Sequence, residues 1–177
     1  MTWHTVTATG ASRDLWVQVT GDDSPAFGRW LSPSGLDVAE TLDRHGPTGV
    51  DVTVRWVQSP EHRGQRLTDF LWETGLSGLK LVSRRMLQVL TDAGARLEVF
   101  DADVRMRNGD PVEGYVAVLE QCDEPGPVHS LWRGKRAECF VVSDQVLAAI
   151  ERAGLTGLDI EPVAGPFPGD RPGYFDE

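Results

Sequence analysis

Cysteine, lysine and long apolar runs are all scarce in this chain, and each shortage removes a class of protein. Only Cys122 and Cys139 carry thiols among 177 residues, too few for a paired Cys-x-x-Cys zinc site. Cys139 falls inside an apolar run that reads as a buried strand, so it is expected as a small apolar filler and not as a ligand or half a disulfide. No apolar stretch approaches the ~20 residues that cross a bilayer. The opening Met1-Thr2-Trp3-His4-Thr5-Val6-Thr7 has neither the basic start nor the apolar core of a secretory signal. A cytoplasmic protein with no membrane contact is the expectation. Lys80 and Lys135 are the two lysines among 17 basic residues, which face 27 acidic ones for a net charge of −10. That balance opposes nucleic-acid binding, which calls for a basic face. It suits a basic protein partner, because opposite fields speed encounter, and it also keeps a protein soluble.

Motifs for bound cofactors are missing too. No Gly-x-Gly-x-x-Gly follows a strand, and no Gly-Lys-Ser or Gly-Lys-Thr loop occurs. Gly75-Leu76-Ser77-Gly78 has the wrong spacing for a nucleophile elbow. His4, His45, His62 and His129 are scattered, with no pair at metal-binding spacing. Neither a cofactor nor a metal is expected.

What the chain does contain is a repeat. Val82, Ser83, Leu87, Leu90, Ala93 and Gly94 recur 60 residues on as Val142, Ser143, Leu147, Ile150, Ala153 and Gly154. In each copy a short apolar run, Leu79–Val82 or Cys139–Val142, reads as a buried strand. Ser83 and Ser143 sit where an N-cap hydroxyl can accept from the first helical turn. Apolar residues then recur at three- and four-residue spacing on one helix face, and Gly94 and Gly154 end the period. Leu97-Glu98-Val99 and Leu158-Asp159-Ile160 alternate as half-buried strands do. Two copies are too few for a solenoid, so duplication within one domain is expected.

Around the repeat, strands are expected at Thr2–Ala8, Asp14–Thr20, Val50–Val57 and Tyr115–Leu119, with a short helix over Leu36–Arg44. Ser59–Gly64 is polar and breaker-rich, the natural boundary. Asn108-Gly109 marks a tight turn, and Arg133-Gly134-Lys135 a second. The fold class is therefore α+β: a mixed sheet with two duplicated strand-helix-strand units and an N-terminal β-rich region. Residues 1–62 form that region, as part of the same domain or as a small lobe. Residues 63–163 carry the duplicated units, and 164–177 are a Pro/Gly-rich tail, expected as extended or mobile chain.

Three clusters could carry chemistry. Asp101 and Asp103, two apart at a strand end, could chelate a hard cation or act as acid and base; with no third ligand nearby, solvated charges are expected. Trp132-Arg133-Gly134-Lys135-Arg136 mixes an aromatic with cations as nucleic-acid patches do, yet reads better as a charged hairpin tip. Trp3, Trp16, Trp30, Trp56, Trp72 and Trp132 should mostly be core, with one or two suited to a protein-binding surface.

The segments Leu67-Thr68-Asp69-Phe70, Gly75-Leu76-Ser77-Gly78, Leu81-Val82-Ser83, Gly114–Asp123, Cys139–Ser143 and Ala153–Val163 together resemble a large bacterial family. These are the immunity proteins of polymorphic-toxin systems, expanded in myxobacteria and related to double-CxxCG proteins. The resemblance covers residues 67–163 and is most specific at its end, from Ala153-Gly154-Leu155-Thr156-Gly157 to Glu161-Pro162-Val163. It implies a non-enzymatic protein that binds and neutralises a cognate toxin by stoichiometric contact. This chain has no CxxCG, so the zinc of that branch is not carried over, and the family supplies no catalytic residues to transfer. If the toxin is basic, Asp22, Asp23, Asp37, Glu40 and Asp43 are partner-binding candidates on charge alone. The alternative is a small cytoplasmic enzyme of unrecognised type, with Asp101, Asp103 and His62 in a carboxylate-lined cleft. A second copy of the chain as partner stays open.

Overall fold

The computed structural model describes residues 2–25, 28–74, 79–120, 128–129 and 139–163. The strands are β1 (Trp3–Ala8), β2 (Trp16–Thr20), β3 (Arg55–Gln58), β4 (Phe70–Glu73), β5 (Lys80–Ser83), β6 (Leu97–Asp101), β7 (Val104–Arg105), β8 (Tyr115–Glu120), β9 (Val128–His129), β10 (Cys139–Ser143) and β11 (Leu158–Pro162). The helices are α1 (Val38–His45), α2 (Arg84–Asp92) and α3 (Asp144–Ala153). One sheet has the order β11-β1-β10-β9 and the other β6-β8-β5-β4-β2-β3-β7. The second is mixed, because β2 runs parallel to β4 and β3 parallel to β7. The class is α+β.

Both predicted strand-helix-strand segments form, with the same connectivity. β5, α2 and β6 leave a gap in their sheet that antiparallel β8 fills. β10, α3 and β11 leave the same gap, and β1 fills it. Outside them, β4 lies next to β5 as β9 lies next to β10. The helices match in burial, with Met86 and Leu90 of α2 corresponding to Val146 and Ile150 of α3. The N-terminal strand thus closes the C-terminal unit, while β2 and β3 extend the other sheet. Residues 1–62 contribute to both sheets.

Two cores follow from strand alternation. Val82, Val116 and Val118 face α2, α3 and the four-stranded sheet, meeting Val6, Phe140 and Val142 there. Leu81, Ala117, Leu15 and Val17 face the opposite way, against Val38 and Leu42 of α1 and Trp56. Because the large sheet is covered on both faces, Leu81-Val82 of β5 and Val116–Leu119 of β8 are consecutive apolar residues.

Local signals explain most boundaries. Asp37 caps α1 by accepting from Glu40 N at 3.0 Å, so the helix begins after Leu36, which is 44% exposed. Ser83 accepts from Met86 N at 3.0 Å and caps α2. Ser143 has N-cap backbone geometry but makes no side-chain capping bond, contrary to the expectation for the second copy. Asp144, in the first turn of α3, instead accepts from Thr2 N at 2.9 Å. The predicted strand Val50–Val57 shortens to Arg55–Gln58, since Pro47–Gly49 forms a 3-10 turn and the chain bends after it. Asn108-Gly109 does turn the chain, with Gly109 at φ 92°. Gly75–Gly78, Cys122, Trp132, the Arg133–Lys135 turn and the tail lie outside the described residues.

Candidate functional site

The best-connected polar site lies where two of the sequence segments singled out above meet. Asp69, immediately before β4, is 7% exposed. Its Oδ1 accepts from Ser83 Oγ at 2.6 Å. Its Oδ2 accepts from Thr156 N at 2.8 Å and from Thr156 Oγ1 at 3.2 Å. Asp69 N donates to Thr156 O at 3.0 Å, and Ser83 N donates to Asp69 O at 2.8 Å. One carboxylate therefore binds the cap of α2 to the turn between α3 and β11. Arg85 stands 3.6 Å from the same carboxylate. Next to it, Tyr115 donates to Thr68 O at 2.6 Å. Burial, with Asp69 close by, pushes this phenol up to about 12. Gly157 packs so tightly that a Cβ would come within 2.3 Å of Thr68 Cβ, at φ 75°. The Leu67–Phe70 and Ala153–Gly157 segments thus form one interlocked joint.

Three further internal joints use the remaining buried carboxylates among the described residues. Asp14 accepts from Arg66 Nε at 2.6 Å and Thr9 Oγ1 at 2.7 Å. Burial opposes its ionisation, but those bonds and the guanidinium outweigh it and hold the carboxyl below the usual carboxylate range. Glu73 accepts from Val19 N at 3.1 Å. Lys80 and Glu120, 1% and 2% exposed at their side chains, lie 3.0 Å apart. The Lys80 ammonium also lies 5.2 Å from the Phe140 ring centroid, across the two sheets. A lysine inside the apolar run Leu79–Val82 was the signal in the sequence that such a pair must exist.

The predicted site residues do not gather. A shallow groove of about 360 Å³ is lined by Asp103 together with Arg84, Glu113 and Tyr115, but by neither Asp101 nor His62. Asp103 accepts from Arg105 Nε at 2.8 Å. Asp101 is exposed. His62 lies on Trp16 with ring centroids 3.5 Å apart, and Trp16 stacks on Trp72 at 5.4 Å. The Ser59–Gly64 loop that holds His62 is fastened: Arg107 Nη2 donates to Ser59 O, Pro60 O and His62 O at 2.8, 3.0 and 2.9 Å. Among the described residues no group of three or more His, Cys, Asp and Glu is placed to hold a metal ion.

The acidic candidates have varied surroundings. Asp22 pairs with Arg55 and Asp37 with Arg29. The capping bond from Glu40 N, then that from Arg29, lowers the Asp37 carboxyl. Glu40 meets Arg44 at 2.9 Å along α1. Asp23 is exposed, and Asp43 is half-buried. Trp30 and Trp56 are core residues; Trp3, Trp16 and Trp72 are half-buried, and no described tryptophan is exposed. No helix among the described residues is long and apolar enough to cross a membrane. No protein-family model matches the chain, and no curated protein matches it.

Proposed function

We propose that the protein is an immunity protein, a cytoplasmic inhibitor that binds a basic bacterial toxin one to one and acts by covering it. The observation that carries this reading is the acidic excess, a net charge of −10, part of which the fold leaves exposed and unpaired. Asp23, Glu61, Asp101, Glu113, Asp159 and Glu161 are exposed, and none meets a cation among the described residues. A net charge of one sign raises the association rate of an oppositely charged partner, to about 10⁸–10⁹ M⁻¹s⁻¹ at low salt in the best cases. The resemblance over residues 67–163 adds the partner class. The buried carboxylates support the non-catalytic half of the reading, since Asp14, Asp69, Glu73 and Glu120 each take part in a joint of the scaffold.

The resemblance implies a toxin gene beside this one, and the test is co-expression with its product. The reading expects cells carrying both to grow and cells carrying the toxin alone to die. Equal killing in both, with the acidic protein present at equal or higher level, would overturn it.

A further inference from the structure

The four-stranded sheet ends on β11, and among the described residues nothing pairs with its outer edge. Register shows which backbone groups face that edge. Val163 N donates to Trp3 O, and Thr9 N donates to Gly157 O. With the partners Thr5–Glu161 and Thr7–Asp159 between them, the odd-numbered residues turn their backbone groups to β1. Antiparallel pairs alternate, so Leu158 and Ile160 direct N–H and C=O outward, and Pro162 adds a carbonyl. Ile160 is 37% exposed, and Asp159 and Glu161 are exposed on either side of it.

An open edge of this kind accepts another strand, and its charge decides which. A second copy docking edge to edge would set two pairs of carboxylates against each other, between molecules each carrying −10, and like charges across a strand pair are destabilising. An extended segment with lysine or arginine at alternate positions would face Asp159 and Glu161 with opposite charge. Of the other edge strands, β7 and β9 span two residues each, and on β6 the Phe100 ring lies against Gly46 at the end of α1, where a Cβ would come within 2.3 Å of it, while Glu98 is engaged within the chain.

We infer that β11 is the docking edge, and that the partner adds a basic strand to the four-stranded sheet. Its backbone bonds to Leu158 and Ile160, and its cations face Asp159 and Glu161. This rests on the toxin-binding reading above.

The test titrates the catalytically inactive product of the neighbouring toxin gene into the wild-type protein and three variants by calorimetry. Ile160→Pro removes an outward N–H, a change an edge strand tolerates. Asp159→Lys/Glu161→Lys reverses the charge, and Asp159→Asn/Glu161→Gln removes it with little change of shape. Unfolding temperature checks that each variant is folded. The inference expects wild-type binding, at least ~10-fold weaker binding for Ile160→Pro and for the neutral pair, and at least ~100-fold for the reversed pair, each ~10-fold being one decade of Kd. If wild type does not bind, the toxin-binding reading fails and this edge with it. If wild type binds and all folded variants bind within ~twofold of it, the edge is overturned and the reading stands. Dimerisation of the wild-type protein that Ile160→Pro abolishes would assign the edge to a second copy and also overturn the inference.

Discussion

Replacing Asp69 by alanine should be among the most damaging single changes in the protein. The carboxylate accepts from Ser83 Oγ at 2.6 Å and from Thr156 N at 2.8 Å. Hydrogen bonds to a charged group contribute about 1.5–3 kcal/mol each, so losing the pair would cost ~3–6 kcal/mol if nothing replaced them. Thr156 is exposed and water can reclaim its donors, while removing the anion also removes its own desolvation cost. The net expectation is a loss of ~2–4 kcal/mol. At ~2–4 °C per kcal/mol for a protein of this size, that lowers Tm by roughly 4–16 °C. Chemical denaturation of wild type, Asp69→Ala, Ser83→Ala and the double variant would measure it. Ser83→Ala alone should cost ~1–2 kcal/mol through the lost cap. Because the two side chains share a bond, the double variant should be more stable than the sum by at least ~0.5 kcal/mol. A loss under ~1 kcal/mol for Asp69→Ala, or strict additivity, would refute the joint as the link between α2 and the turn after α3.

Other perturbations test other joints. Lys80→Met leaves Glu120 buried without its cation and should cost ~3–5 kcal/mol, whereas Lys80→Met/Glu120→Leu should recover most of that loss. Gly157→Ala, strained at positive φ and against Thr68, should destabilise by ~1–3 kcal/mol; urea midpoints check both. Tyr115 should ionise at about 12 while a phenol in the unfolded chain ionises near 10. A raised folded value means that its stabilisation is complete below the unfolded pKa and is lost as pH rises through the folded one. Absorbance titration of wild type and Tyr115→Phe should therefore show a component near pH 12 only in the former, and alkaline unfolding of wild type should steepen between ~10 and ~12. The Asp14 carboxyl, held low by Arg66 and Thr9 against the cost of burial, has the opposite sign. Its contribution is present above ~4 and lost as pH falls, so Asp14→Asn should flatten the acid limb of the stability curve.

The sequence was most legible where one residue decides the outcome locally. The Ser83 cap, the apolar face of α2 and α3, the Asn108-Gly109 turn and the continuous apolar run of β8 all follow from neighbours a few positions away. Pairing across the chain was not legible. Nothing in Trp3–Ala8 announces that it lies between β10 and β11, because alternation specifies a strand and not its partner. The Ser59–Gly64 segment reads as a boundary by composition, yet Arg107, more than forty residues away, fastens its carbonyls, and Gly64 is needed where a Cβ would come within 2.0 Å of Asp14 O. The second cap failed as read because Ser143 and Ser83 share a position but not surroundings: only Ser83 has Asp69 beside it. The joint at Asp69 was likewise hidden in two segments that looked unrelated. The acidic candidates Asp22, Asp37 and Glu40, chosen on charge, have cations of their own. By contrast, Asp159 and Glu161 lay inside a segment read for alternation and for family resemblance, not for charge.

The most direct test titrates the activity of the neighbouring toxin against this protein. A covering inhibitor of the kind proposed gives a straight fall in toxin activity that ends at one equivalent, with full activity regained when the complex is dissociated. Loss of toxin activity at a small fraction of an equivalent would show that the protein turns over and is an enzyme. Undiminished activity at several equivalents would show that it is not the toxin's inhibitor at all.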